Sequence, residues 1–139
     1  MPSDPDRDEH GTIVPHDHAE IDDDCYVIRH IIPPNDLHLG RVSSGAFSES
    51  TVAGVRCGMS VDIECWMIEA GLEPLYYVRD PAHGAARLRV GYLRSLGMKV
   101  GWDPDNGHAH HGAVWGATQT NRKKMQKSAE MLRKAAGQQ

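Results

Sequence analysis

Phenylalanine occurs once in this chain of 139 residues, at Phe47, and aromatic residues make up only 6% of it. A core must therefore be built from aliphatic side chains, with Phe47 as a packing anchor. Cysteine is scarce too. Cys25, Cys57 and Cys65 are odd in number and form no CxxC, which argues against a disulfide scaffold or a structural zinc ribbon. A reducing cytosol is the simplest home for such a chain, so a cytoplasmic protein is expected. No apolar run reaches 18 residues, which excludes a hydrophobic membrane span. The start lacks the basic-then-apolar order of a secretory leader. There is no G-x-G-x-x-G and no P-loop, which disfavours a dinucleotide or Walker site. HExxH and G-x-S-x-G are missing as well. No complete catalytic signature remains, and these motifs leave the cofactor unknown.

What is present suits one domain. Hydrophobic residues are 40% and charged residues 24% of a 15.3 kDa chain, enough for a modest core. The net charge of −4 conceals a gradient. Residues 1–24 hold nine acids against Arg7, for a balance of −8, with almost no large apolar residues except Ile13, Val14 and Ile21. Such a segment is expected to be a disordered acidic tail. Residues 25–116 nearly balance at −1, whereas residues 117–139 carry +5.

Within 25–116, an α+β domain is expected, with a small mixed or antiparallel sheet and two to three helices. Cys25–Ile32 is β-branched and aromatic, and stops at Pro33-Pro34, as a strand does. Residues 33–58 read as irregular, with a short strand near 37–39. Ser60 as cap, followed by Ile63, Trp66, Met67 and Ala70 at helical spacing and then Gly71, predicts a helix over 61–70. Leu75–Val78 reads as a short strand. Residues 86–97 favour one helix over a strand. Residues 98–102 and 108–115 flank the turn residues 103–107 and predict an antiparallel hairpin. Met125, Ala129, Leu132 and Ala136 predict a basic amphipathic helix from an Asn121 cap to about residue 136.

Three constellations carry chemistry. Nine histidines are present, and His108, His110 and His111 cluster after the turn. On a strand His108 and His110 share a face. With Asp103 they make a candidate metal site, weighed against solvated or hydrogen-bonded histidines. Arg41, Ser43 and Ser44 lie in a glycine-bearing loop fit to hold a phosphate or carboxylate. Ser44, Asp62 and His110 then supply a nucleophile, an orienter and a base by type, with Arg41 as the fourth catalytic candidate. Finally, Arg122, Lys123, Lys124 and Lys127 offer a contact for nucleic acid or an acidic protein, against the plainer reading of a solvated helix face.

Arg41-x-Ser-Ser-x-x-Phe47, then Ser60-Val-Asp62, then Asn106-x-His-Ala-His resembles a pattern in small uncharacterised bacterial proteins. That pattern reads R-P-S-S-x-x-F, S-V-D and N-P-x-H-A in the same order. Here Val42 and Gly107 replace the prolines. The resemblance spans 25–116 and implies that Arg41, Ser44, Asp62 and a histidine at 108 or 110 meet in space. An order similar to that of ADP-ribosyltransferase-like toxins also exists, through Arg29 or His30, Ser43 or Ser44, and Glu64 or Glu69.

The opposed charge of the two ends points first to a small bacterial accessory protein that binds a protein partner. The rival is a small enzyme, a metal-dependent hydrolase or an NAD- or nucleotide-acting transferase, using Arg41, Ser44, Asp62 and His108 or His110. Nucleic-acid binding through the basic C-terminal segment is the third reading.

Overall fold

The computed structural model describes residues 3–52 and 54–139. Its first strand, β1 (Tyr26–Ile31), forms where the sequence is most β-branched. It lies between β5 (Val55–Ile63) and β6 (Gly84–Arg89), antiparallel to both. Two further pairings extend the sheet: β8 (His111–Trp115) beside β5, and β7 (Lys99–Trp102) beside β8. On the far side β9 (Glu130–Arg133) pairs with β6, giving the order β7-β8-β5-β1-β6-β9. Strand β4 (Ser50–Val52) folds back on β5, while β2 (Leu37–His38) and β3 (Arg41–Val42) make a separate hairpin. The expected α+β class, with its antiparallel sheet, is what the chain adopts.

Three α-helices occur among the described residues: α1 (Glu64–Glu69), α2 (Val90–Ser95) and α3 (Gln119–Ser128). The first two are shorter than expected because strands claim their leading residues. Ser60–Asp62 lie in register with Ala113–His111 of β8, so α1 starts after Ile63 and Ser60 is not its cap. Ala86–Arg89 pair with β1, so the apolar alternation there is a strand and only residues 90–95 coil. Cross-strand pairing outweighs helical propensity at both junctions. Residues 75–78 form turns rather than a strand, with Val78 N–H donating to the Leu75 carbonyl. The hairpin of β7 and β8 forms as expected, and Leu37–His38 are indeed extended.

Both ends depart from expectation. The acidic segment is packed against the body rather than disordered, with Ile21 fully buried and Ile13 buried. Its residues 16–18 cover the outer edge of β7. Val100 N–H donates to Asp17 Oδ1, Trp102 N–H to His16 Nε2, and His18 N–H to the Val100 carbonyl. An open sheet edge is a liability, and this segment closes it. Gly101 permits the approach, since a Cβ there would sit 2.6 Å from His16 Nε2. Residues 1 and 2 of that segment lie outside the described residues.

At the other end, Thr118 caps α3 by accepting from Asn121 N–H, and the helix stops at Ser128. Ala129 is extended and the chain continues as β9, so Leu132 packs as part of a strand. Gly84 allows this close return, because a Cβ would come within 2.6 Å of the Ala135 nitrogen.

One apolar layer lies on each face of the sheet. The larger contains Val27, Ile31, Phe47, Val61, Ile63, Leu88 and Val114, and Phe47 is fully buried as its anchoring role requires. The smaller gathers Ile28, Met67, Val78 and Ala85. Cys25 and Cys65 are joined by a disulfide that ties the start of β1 to α1, contrary to the expectation of unpaired thiols; Cys57 is free.

Candidate functional site

Strands β1 and β5 are in register only at Val27 with Ile63 and Ile28 with Asp62. Beyond Ile28 they part, β1 staying with β6 and β5 with β8. A cavity of about 260 Å³ opens at this divergence, lined by Arg29, His30, Asp62, Tyr77, His108 and His111 among others. Alternation along the strands places Ile28, His30 and Asp62 on the face of the smaller apolar layer. His111 is the direct partner of Asp62 on β8 and shares that face. The turns after α1 bring Tyr77 over them.

Asp62 is the centre. It is 3% exposed, and each of its oxygens accepts one imidazole: Oδ2 from His30 Nε2 at 2.7 Å, and Oδ1 from His108 Nε2 at 2.9 Å. A buried carboxylate is costly unless charge-assisted hydrogen bonds hold it, and these two do. Because His108 Nδ1 accepts from the His110 N–H, its proton resides on Nε2. Burial holds His108 below the ordinary imidazole value, with Asp62 opposing, so its neutral form is favoured. Tyr77 stacks on the His108 ring, centroids 3.3 Å apart and planes 4° from parallel. A further hydrogen bond of 2.8 Å joins the Tyr77 hydroxyl to His110 Nδ1. Burial raises the Tyr77 phenol above its ordinary value, so it stays protonated.

His30 differs from His108 in one respect that matters. Its Nε2 is engaged by Asp62, but Nδ1 has no partner among the described residues. His111 offers a second free nitrogen, since Nδ1–H donates to the Asp103 carbonyl and leaves Nε2 unengaged. Arg29 enters from the opposite face of β1. Its Nε donates to the Ala46 carbonyl and Nη1 to the Ser60 carbonyl, bridging the divergent strands. No carboxylate pairs with it directly among the described residues, and burial lowers its guanidinium, partly offset by distant Asp36.

Of the residues expected at the site, Asp62 and His108 do meet. Arg41 and Ser44 do not join them. They line a different depression, of about 590 Å³, with His38, Ser43 and Gln126. The cause is the β2–β3 hairpin, which forms its own small sheet. His110 touches Tyr77 but lines a third groove with Trp66 and Trp102. The expected metal set also separates. Asp103 receives Asn106 and sits beside His111, whereas His108 turns its Nε2–H to Asp62. Among the described residues no group of three or more His, Cys, Asp or Glu is arranged to hold a metal ion. The three histidines do not share one strand either. Only His111 belongs to β8, and His108 and His110 lie in the preceding loop.

Tyr77 had no functional role in the sequence reading, His111 was named only as a member of the histidine cluster, and His30 and Arg29 entered only through the transferase-like order. A signal existed for the last two: adjacent ionisable side chains inside the apolar run of β1. No family model, curated protein or solved structure matches the chain.

Proposed function

We propose that the chain is a small enzyme that holds an oxyanion-bearing substrate at Arg29 and moves a proton through the His30–Asp62 pair. The observation that carries this reading is the half-buried Arg29 guanidinium, bound among the described residues by carbonyl oxygens alone, next to a carboxylate-braced imidazole. A desolvated cation without a counter-charge is unfavourable, and an incoming carboxylate or phosphate supplies one in a geometry that guanidinium matches. Asp62 fixes His30 with its proton on Nε2 and its lone pair on Nδ1. It then stabilises the imidazolium once Nδ1 has accepted a proton.

The simplest reaction is hydrolysis of a small ester. His30 Nδ1 takes a proton from water, the oxygen adds to the acyl or phosphoryl centre, and Arg29 stabilises the charge that develops. The proton then passes to the leaving oxygen. The second histidine on Asp62 has both nitrogens occupied, so His108 acts as a positioning residue, held flat by Tyr77. At about 260 Å³ the cavity suits a small substrate.

The test is turnover of p-nitrophenyl phosphate, a p-nitrophenyl ester bearing a carboxylate, and neutral p-nitrophenyl acetate. Hydrolysis of one of the anionic esters is expected, with His30→Gln lowering kcat/KM by about 10²–10⁴-fold. Arg29→Gln is expected to lower kcat/KM for that anionic ester while sparing the neutral one. Absence of turnover, or turnover indifferent to both substitutions, contradicts the reading.

Partner binding through opposed charged ends has less support, because Arg94 engages Asp17 and Asp23, and Arg89 engages Asp24. The specific observation favouring a macromolecular acid as partner is the exposed Lys123, Lys124 and Lys127 on α3. As for compartment, disulfides persist in oxidising surroundings, so the Cys25–Cys65 bridge argues against the cytoplasmic expectation.

A further inference from the structure

On the outer side of α1 lies a groove that the acid–base reading does not use. It is lined by Glu20, Trp66, Glu69, Ala70, Trp102 and His110 and has a volume of about 550 Å³. Trp66 and Trp102 meet edge to face, with centroids 5.6 Å apart and planes at 79°, so their indoles form a corner. His18 packs edge to face against both indoles, 5.5 Å from Trp66 and 6.2 Å from Trp102 between centroids. Trp102 is locked in place because its Nε1–H donates to the Ala109 carbonyl at 2.8 Å. Among the described residues its lining carries two carboxylates and no lysine or arginine. Glu20 is held by the Ser3 N–H and hydroxyl, which keep its own value low and the group ionised. Glu69 has no ion-pair or hydrogen-bond partner among the described residues.

We infer that this corner is a binding site for an organic cation, a quaternary or methylated ammonium group. Indole faces carry negative potential and attract such cations when they come within about 6 Å of the ring centroid. A pair of perpendicular indoles presents two faces to one ligand. The methyl groups of a quaternary ammonium suit the apolar walls, and the carboxylates of Glu20 and Glu69 complement its charge from the rim. An inorganic cation would gain little from such walls, and an anion would meet two like charges. The site shares no residue with the Arg29–His30–Asp62 cavity, so it stands or falls separately from the proposed reaction.

The experiment is a titration of the full chain with choline at constant ionic strength, followed by the indole N–H signals in nuclear magnetic resonance. The neutral isostere 3,3-dimethylbutan-1-ol serves as control. Choline is expected to shift the Trp66 and Trp102 signals saturably, and the alcohol to bind about tenfold more weakly or not at all. Trp66→Leu is expected to abolish saturation. The surface substitution Glu69→Gln, which leaves the core intact, is expected to weaken choline binding about threefold. Equal binding of choline and the alcohol would mean an apolar groove only and would overturn the inference. So would no shift with choline, or an affinity unchanged in Glu69→Gln and Trp66→Leu.

Discussion

Asp62 is the residue on which the site turns, and its neighbours show how one side chain's burial sets the chemistry of others. Two imidazoles compete for one carboxylate, yet only His30 keeps a nitrogen free. His108 is instead held neutral by its surroundings, which has a consequence for stability. Its folded value is depressed, so the unfolded chain binds a proton more readily at this position. The penalty is absent well above about pH 6.5, the ordinary imidazole value. It grows as pH falls through that value, until it levels off below the folded one. Urea denaturation between pH 8 and pH 5 is therefore expected to show stability falling on acidification. His108→Gln should flatten that slope even if it lowers stability at every pH. An unchanged slope in the variant would contradict a depressed value for His108. Asp62 with a histidine at 108 or 110 was legible from residue types that fit acid–base chemistry, but which histidine reaches it was not, since His110 turns instead to Tyr77. Arg41 and Ser44 were expected beside them but fold away, since nothing in their local sequence reveals that β2 and β3 form a separate two-stranded sheet. Tyr77 was hidden for a related reason. Its Tyr-Tyr-Val context reads as strand, and only tertiary packing makes it a stacking plate.

At the scale of elements, short-range periodicity identified β1, β7 and β8 but misjudged the strand-to-helix junctions. The runs before α1 and α2 satisfy helical spacing and sheet pairing alike. Long-range hydrogen bonds to β8 and β1 decide for the sheet, and a local pattern does not contain them. The acidic leader is the larger departure. Nine acids in 24 residues resemble a solvated tail, but a few anchoring residues suffice to dock it. Ile21 fills the core, Asp17 pairs with Arg94 and with the Val100 N–H, and His16 packs on Gly101. Ile21→Ala is accordingly expected to destabilise the fold by about 2–5 kcal/mol, the usual range for emptying a fully buried aliphatic position. Chemical denaturation measures this directly. No loss of stability would mean that the leader is not part of the packed body.

For the molecule as a whole, the sheet does more than hold a core. It diverges between β1 and β5, and that divergence brings residues from both faces to one cavity. His30 and Asp62 come from one face, while the guanidinium of Arg29 reaches across the gap to the Ser60 carbonyl. The edge strand β7 is covered by residues 16–18, and the polar opening lies between β1 and β5 in the sheet interior rather than at its rim. Basic charge is concentrated on α3, whereas the groove beside α1 carries Glu20 and Glu69.

Calorimetric titration of the intact protein with inorganic phosphate and with acetate, alongside Arg29→Gln and Arg29→Lys, tests the oxyanion site most directly. Saturable binding of at least one anion is expected in the native chain, lost in Arg29→Gln and weakened but retained in Arg29→Lys, with both variants folded by circular dichroism. Failure of both anions to bind the native chain, or equal binding by all three proteins, would contradict it.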